Sequence, residues 1–500
     1  MTWFKKHSYV FAYFLIPILI ILYFVFFLNR SLAIYDEGYI LEASRLIHLG
    51  KIPYRDFYFQ YTPLIIWLGA LWFKIFGVGI LKLRWLALLI SLATVIVGHF
   101  IARKIFNRSI VFLVTLGFIV WGFPQTNFLW PSSTALLFLF LVIYFLIKFT
   151  EEPKNLYLIL SGISVAFSLL TKQNLGLATF LGASVYILYL WLKKNKGFGF
   201  LWFFGGHLLV IMLAALILGI DPKTIAGLKE FLTRSLGVIT GKSLFAPYPL
   251  ISRLDPGFSG LAKWVGKTFI YFFPLLLYII SAFFTIRKRK QKDLWYLFFF
   301  LTGLYFLAMI WPLSDLVHLT FAVPAIILMS AGFTLFKSKF WTKFAKISLI
   351  LLIFAGFYKT FFMRYYTFET PYLLQTRVVS INGEKFYLDE KYSVIANRLS
   401  ELKTSVFRGK VVFAHPYMPM FYYLIDQTAP TYELYTVDSL LSHPDQLKVI
   451  NELKEKNVDF VILETWREKN SQNLITKYIR DNYKKIDQVW DYDIGNQIPR

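Results

Sequence analysis

The chain has 500 residues, of which 57% are hydrophobic and 20% aromatic, and its mean hydropathy is +0.56. A soluble domain cannot hide that much apolar surface from water, so an integral membrane protein is expected. The net charge of +24 does not point to nucleic acid: residues 370–500 carry 17 Lys/Arg against 17 Asp/Glu, so the whole excess lies in the apolar part, where cytoplasmic Lys/Arg orient membrane spans. The absence of cysteine excludes disulfides, thiol catalysis and thiolate metal sites.

In chain order, apolar runs of roughly 18 residues or more, each about long enough to cross ~30 Å of hydrocarbon, recur from Ser8 to about Phe362 and then stop. The first, residues 8–28, is too long for the apolar core of a signal peptide and lacks a small-residue cleavage site. It reads as a retained span, and Lys5, Lys6 and His7 before it put the N-terminus in the cytoplasm. The stretch 62–76 is short, contains Lys74 and starts at Pro63, so it can span or lie in the interface. Charge decides between the two: as a span it would throw "RKRKQK" (287–292) outside, against the positive-inside bias. About eleven spans result. The basic turns near 103–108, 148–154, 193–196, 287–292 and 337–346 then face the cytoplasm. The loops at 29–84, 122–131, 171–174, 221–266 and 311–318 face outward with the polar C-terminus.

The expected organisation is a transmembrane domain over 1–365 and a small extracytoplasmic α/β domain over 366–500. In the latter, "EKYSVIANRLSEL" and "HPDQLKVINELKEKN" read as helices, "KVVFAHP" as a strand and "VDFVILE" as a buried strand, an order that suggests a partly parallel sheet. No Gly-rich phosphate turn follows either strand.

The first outer loop is the most informative segment. "DEGYILEASRLIHLGKIPYRDFYFQYTPLIIWLGALWFKIFG" followed by "LRWLALL" resembles the first outer loop of the GT-C glycosyltransferases, the group that includes protein O-mannosyltransferases and bacterial aminoarabinose transferases. In that family an acidic residue follows the first span, a juxtamembrane helix and a "PPL" segment come next, and a basic residue opens the second span. The likeness covers about Tyr35 to Arg84 with Thr62 in place of the first proline; elsewhere it rests on topology and on "PLSDLVHLTFAVP". The resemblance implies a helical polytopic membrane fold. It also implies a polyprenyl-phosphate sugar donor and an inverting transfer to a hydroxyl acceptor, which can be glycan, lipid or protein, at the outer face.

The residues suit that chemistry. A hydroxyl attacking an anomeric carbon needs a proton acceptor, and a phosphate leaving group needs positive charge more than it needs an acid. Asp36, aligned with the family's first acidic residue, is the expected general base. Glu37, about 100° round a helix from it, is expected to orient or bind acceptor, with Tyr39 close by. Either carboxylate can instead cap the helix that follows. Asp56, in "PYRDF", suits sugar binding and a local turn equally. Lys172 and Gln173, in "TKQN", put a cation at an outer membrane boundary, where a buried lysine is costly, and binding of the lipid phosphate is its expected task. Arg253 in the long outer loop is a second candidate for that task, or a solvated loop charge. Asp315 and His318, three apart and therefore on one helical face, can orient substrate, bind a metal together with Asp36, or cap the next span. A divalent metal is left open. The loop "GVITGKS" has three residues, not four, between its glycines and is no phosphate-binding loop, and no HExxH pair is present. A transporter or flippase of lipid-linked glycans is the alternative function, but such proteins concentrate ionisable groups near the bilayer midplane and often repeat their halves.

Overall fold

A computed structural model describes residues 18–194, 199–219, 221–240, 248, 258–287, 293–363, 370–437, 440–465 and 473–498. Helix α1 (Ile18–Leu28) is followed by α2 (Asp36–His48) and α3 (Leu64–Phe76). Next come α4 (Ile80–Ile105), α5 (Arg108–Val120), α6 (Pro131–Glu151), α7 (Asn155–Thr171), α8 (Gln173–Lys194), α9 (Gly199–Leu218) and α10 (Pro222–Ile239). The bundle closes with α11 (Phe258–Arg287), α12 (Asp293–Ile310), α13 (Leu316–Gly332) and α14 (Lys339–Phe362).

Among the described residues nine helices are long and apolar enough to cross a membrane: α4, α5 with its short continuation, α6, α8, α9, α11, α12, α13 and α14. The protein is a multi-pass membrane protein. Helix α7, with 17 residues, and the described part of α1 are shorter apolar helices. Helix α3, with 13 residues, rises only about 20 Å and falls short of the hydrocarbon thickness. Helix α13 runs through the middle of the bundle, 83% buried over its apolar window, whereas α9 is 22% buried and turns its leucines outward. A helix apolar all round must sit either in a core or against lipid, and these two are the two cases.

The polar C-terminal part begins after α14. Strands β1 (Arg377–Ile381) and β2 (Glu384–Leu388) form an antiparallel hairpin. Asn382 and Gly383 turn it with φ of +46° and +84°, the left-handed pair that a two-residue hairpin needs. Then follow α15 (Glu390–Thr404), β3 (Val412–His415), α16 (Met420–Leu424), α17 (His443–Glu455), β4 (Phe460–Glu464), α18 (Leu474–Asn482), β5 (Tyr483–Val489) and β6 (Tyr492–Gln497). The sheet order is β3-β4-β6-β5, with β3 parallel to β4 and the other pairs antiparallel. A parallel neighbour needs a crossover, which runs through α16 and α17.

This domain is built onto the first loop. The backbone N–H of Tyr387 in β2 donates to Asn29 O at 2.8 Å, and Ser31 N–H donates back to Tyr387 O at 3.0 Å. Helix α16 lies on α2 at Gly38, where an added Cβ would stand 2.3 Å from Met420 N. Glu42, one turn further along α2, accepts from Ala429 N–H at 2.9 Å. The C-terminal domain therefore covers the end of the bundle that carries α2.

Candidate active site

Helix α2 starts directly after the first loop's backbone turn, so its first two residues are Asp36 and Glu37. A helix N-terminus favours both carboxylates, but the helical rotation sends them in different directions. Glu37 turns inward and is 2% exposed. It accepts from Arg84 Nε at 2.6 Å and from Arg84 Nη2 at 2.7 Å. Arg84, fully buried, also donates to the carbonyls of Leu28, Arg30 and Ser31. The pair fastens the end of α1 to the start of α4. Glu37 thus anchors the fold and does not line the cavity, so the structure does not bring it to the place expected for orienting or binding acceptor.

Asp36 faces a cavity of about 660 Å³. Tyr39 from α2, Lys172 and Gln173 from the α7–α8 corner, and Asp315 and His318 from the start of α13 line the same cavity. Asp315 caps α13, accepting from His318 N–H at 2.8 Å, and lies 2.8 Å from His318 Nδ1. Burial pushes the Asp315 carboxyl up, but His318, through charge and two hydrogen bonds, together with the Lys172 charge, brings it below its usual range.

Lys172 is 6% exposed. Its Nζ donates to Ser132 Oγ at 2.9 Å and stands 5.7 Å from the centre of the Tyr61 ring. Among the described residues no carboxylate lies within 4.0 Å of that ammonium, which is held by a hydroxyl and an aromatic face. Burial lowers its pKa to about 8, and Asp315 and Asp36, acting across the cavity, oppose the shift. Away from these groups the wall is apolar, made by Leu177 and Leu181 of α8 and Leu304 and Ala308 of α12.

The structure brings together six residues singled out from the sequence: Asp36, Tyr39, Lys172, Gln173, Asp315 and His318. Asp56 is elsewhere. It pairs with Arg55 at 2.9 Å and accepts from Ile52 N–H at 2.8 Å, closing the local turn. Of the two expected roles the structure shows the local turn, and Asp56 does not line the cavity. Arg253 lies outside the described residues.

The opposite wall comes from residues the sequence did not single out. Tyr417, Glu433 and Tyr435 reach in from the C-terminal domain, and Tyr417 Oη donates to Asp36 Oδ1 at 2.5 Å. Arg234 of α10 also lines the cavity, but its guanidinium lies over the Tyr58 ring at 4.2 Å and pairs with Glu433 at 2.8 Å, Asp445 at 3.2 Å and Glu230. Its charge is thus shared among carboxylates, whereas that of Lys172 is not. Among the described residues no three His, Asp or Glu side chains cluster as a metal would need.

A family model described as dolichyl-phosphate-mannose-protein mannosyltransferase matches residues 60–218. A protein of Aquifex aeolicus (strain VF5), described as an uncharacterized protein, is 23% identical over 345 residues, which is 68% of this chain. The match spans 66% of that relative, just under two thirds of its length. Among solved structures, ArnT from Cupriavidus metallidurans bound to undecaprenyl phosphate superposes with a TM-score of 0.58 at 11% identity, covering 98% of both chains. The chain has the GT-C fold. The archaeal oligosaccharyltransferase AglB from Archaeoglobus fulgidus in complex with an inhibitory peptide and a dolichol-phosphate gives a TM-score of 0.44 at 12% identity over 99% of this chain and 75% of that one. In this chain the cavity lies where α2, the α7–α8 corner, the start of α13 and the C-terminal domain meet.

Proposed function

We propose that the protein is an inverting glycosyltransferase that moves a sugar from a polyprenyl-phosphate carrier to a hydroxyl acceptor at the outer face of the membrane, with Asp36 as general base. The observation that carries this reading is Lys172, a buried ammonium with no carboxylate within 4.0 Å among the described residues, set in the same cavity as Asp36 and beside an apolar wall. A buried cation with no carboxylate in contact is expensive, and an anionic ligand that reaches it relieves the cost. A lipid phosphate fits both needs at once: its charge meets Lys172 and its chain lies along Leu177, Leu181, Leu304 and Ala308. The undecaprenyl phosphate in the ArnT structure gives the same class of ligand to this fold.

In this mechanism the acceptor oxygen attacks the anomeric carbon from the face opposite the phosphate. Asp36 takes the hydroxyl proton as the new C–O bond forms. The bond from the anomeric carbon to the phosphate oxygen breaks with its electron pair, leaving the lipid phosphate with a further negative charge next to Lys172. Attack opposite to departure inverts the anomeric centre. In this reading His318 and Asp315, bonded to each other on the cavity wall, hold sugar hydroxyls.

The test uses the full chain in lipid nanodiscs with undecaprenyl-phosphate mannose or glucose and an envelope extract as acceptor, and reads release of undecaprenyl phosphate. The wild type is expected to release it, and Asp36→Asn to lose at least about 100-fold of the rate while still binding undecaprenyl phosphate. A folded Asp36→Asn protein with full activity would remove Asp36 from the chemistry.

A further inference from the structure

Tyr417 follows the end of β3 and stands 381 positions from Asp36 in sequence, yet its phenol donates to Asp36 Oδ1 at 2.5 Å. Its ring has no room to swing. It stacks on Tyr35 with centroids 5.7 Å apart, meets the Tyr435 ring edge-on at 4.1 Å, and the residue is 6% exposed. The loop that carries it is tied down on both sides. Met420 rests on Gly38, Ala429 N–H is held by Glu42, Tyr35 Oη bonds Glu464, and Glu433 pairs with Arg234. Each tie joins the C-terminal domain to α2, to the turn just before it, or to α10.

We infer that Tyr417 is a positioning residue for the catalytic base, so that the active site is complete only when the C-terminal domain is docked on α2. The inference rests on Asp36 being that base. An aspartate on the first turn of a helix can rotate about its last bond, and a base that must point at an acceptor hydroxyl loses rate with every misaligned rotamer. A rigid donor on Oδ1 fixes the plane of the carboxylate relative to the cavity. The phenol keeps its own proton throughout, because burial and the neighbouring Asp36 charge push it well above its ordinary value. Tyr417 thus donates in both the resting and the reacting enzyme and does not compete for the acceptor proton. Among the described residues, the charged or titratable groups around this carboxylate include Lys172, Asp315 and His318 across the cavity, Tyr61 and Tyr435, and Tyr35 and Tyr39 beside it. The Tyr417→Phe change removes none of these groups.

The experiment compares wild type with Tyr417→Phe in nanodiscs, again reading release of undecaprenyl phosphate from undecaprenyl-phosphate mannose or glucose. Removing the phenol hydroxyl is expected to lower kcat about 10-fold or more and leave the donor KM within about 2-fold. The acid limb of the rate profile should move to higher pH, because a donor to the charged form of a carboxylate has been removed. Binding of undecaprenyl phosphate should be unchanged. Site-specific 3-fluorotyrosine at 417, a stronger donor of nearly the same shape, should move the acid limb the other way. Unchanged kcat and acid limb in Tyr417→Phe would overturn the positioning role and leave the glycosyltransferase reading intact. So would a loss of activity that tracks a lower melting temperature with the acid limb unmoved in both variants. A wild type that releases no lipid phosphate from either donor would overturn both.

Discussion

Two carboxylates side by side in sequence do different work here, and the difference is geometric. Asp36 opens onto the cavity, while Glu37 is spent on Arg84. A substitution separates them. Glu37→Gln leaves the buried guanidinium short of a counter-charge and is expected to cost about 3–5 kcal/mol, seen as a lower melting temperature in nanodiscs, with activity per folded molecule close to wild type. A fully stable variant with no activity would instead put Glu37 in the chemistry. Lys172 gives a pH signature. Burial holds its pKa down to about 8, so its ammonium is present below that pH and is lost as pH rises through it. The kcat/KM for the lipid donor, which reports the free enzyme, should therefore fall on the alkaline side near pH 8. Lys172→Arg should remove that limb, since a guanidinium stays charged, at some loss of fit. Lys172 was legible in the sequence because a cation between two apolar runs, on the side that the positive-inside bias assigns to the exterior, is an anomaly. Tyr417 was not: "HPYMPM" carries no signal of its own, and what makes the tyrosine matter is a partner 381 positions away.

At the scale of elements, the contact between α2 and α16 decides how the first loop meets the C-terminal domain. Gly38 sits within α2, where alanine would be the better helix former by about 1 kcal/mol. The approach of Met420 reverses that preference, because the new Cβ would lie 2.3 Å from a backbone nitrogen and 2.6 Å from the Met420 Cβ, neither of which can move alone. Gly38→Ala is expected to destabilise by about 1–3 kcal/mol and to make the C-terminal domain easier to proteolyse. A melting temperature equal to or above wild type would mean that α16 does not rest there. The sequence showed Gly38 only as a residue in a helical pattern, since periodicity reports which face is apolar and not what lies on it. It showed α15, α17, β3 and β4 clearly, each a strong run of one period. The β1–β2 hairpin escaped notice although "INGE" holds the Asn-Gly pair that marks such turns. Strands β5 and β6 are mixed in polarity, with Lys484, Lys485 and Asp487 beside a register shift, and a bulged edge pair breaks the alternation that a strand reading needs.

At the scale of the molecule, the cavity draws on segments from residue 35 to residue 440, and what gathers them is the alternation of spans. Helices α7 and α8 meet at Lys172, α12 and α13 at Asp315, and α1 delivers α2, all at the end of the bundle that the C-terminal domain covers. The opposite end carries Arg103, Lys104 and Lys148, in the last turns of α4 and α6, with Lys104 and Lys148 gathered round Glu151. Charge asymmetry of this kind sets orientation, so the cavity end is expected to face outward. The chain is well suited to a direct check because it has no cysteine to remove. Two single-cysteine variants at exposed positions, Lys454→Cys on α17 and Ser109→Cys at the start of α5, would be treated with a membrane-impermeant maleimide on intact cells. Lys454→Cys should label from outside at once, and Ser109→Cys only after the membrane is opened. The reverse pattern would put Asp36 and Lys172 at the cytoplasmic face together and remove transfer at the outer face while sparing the cavity itself. Labelling of both from one side would mean that the number of crossings between them is wrong, and with it the argument that alternation brought these residues together.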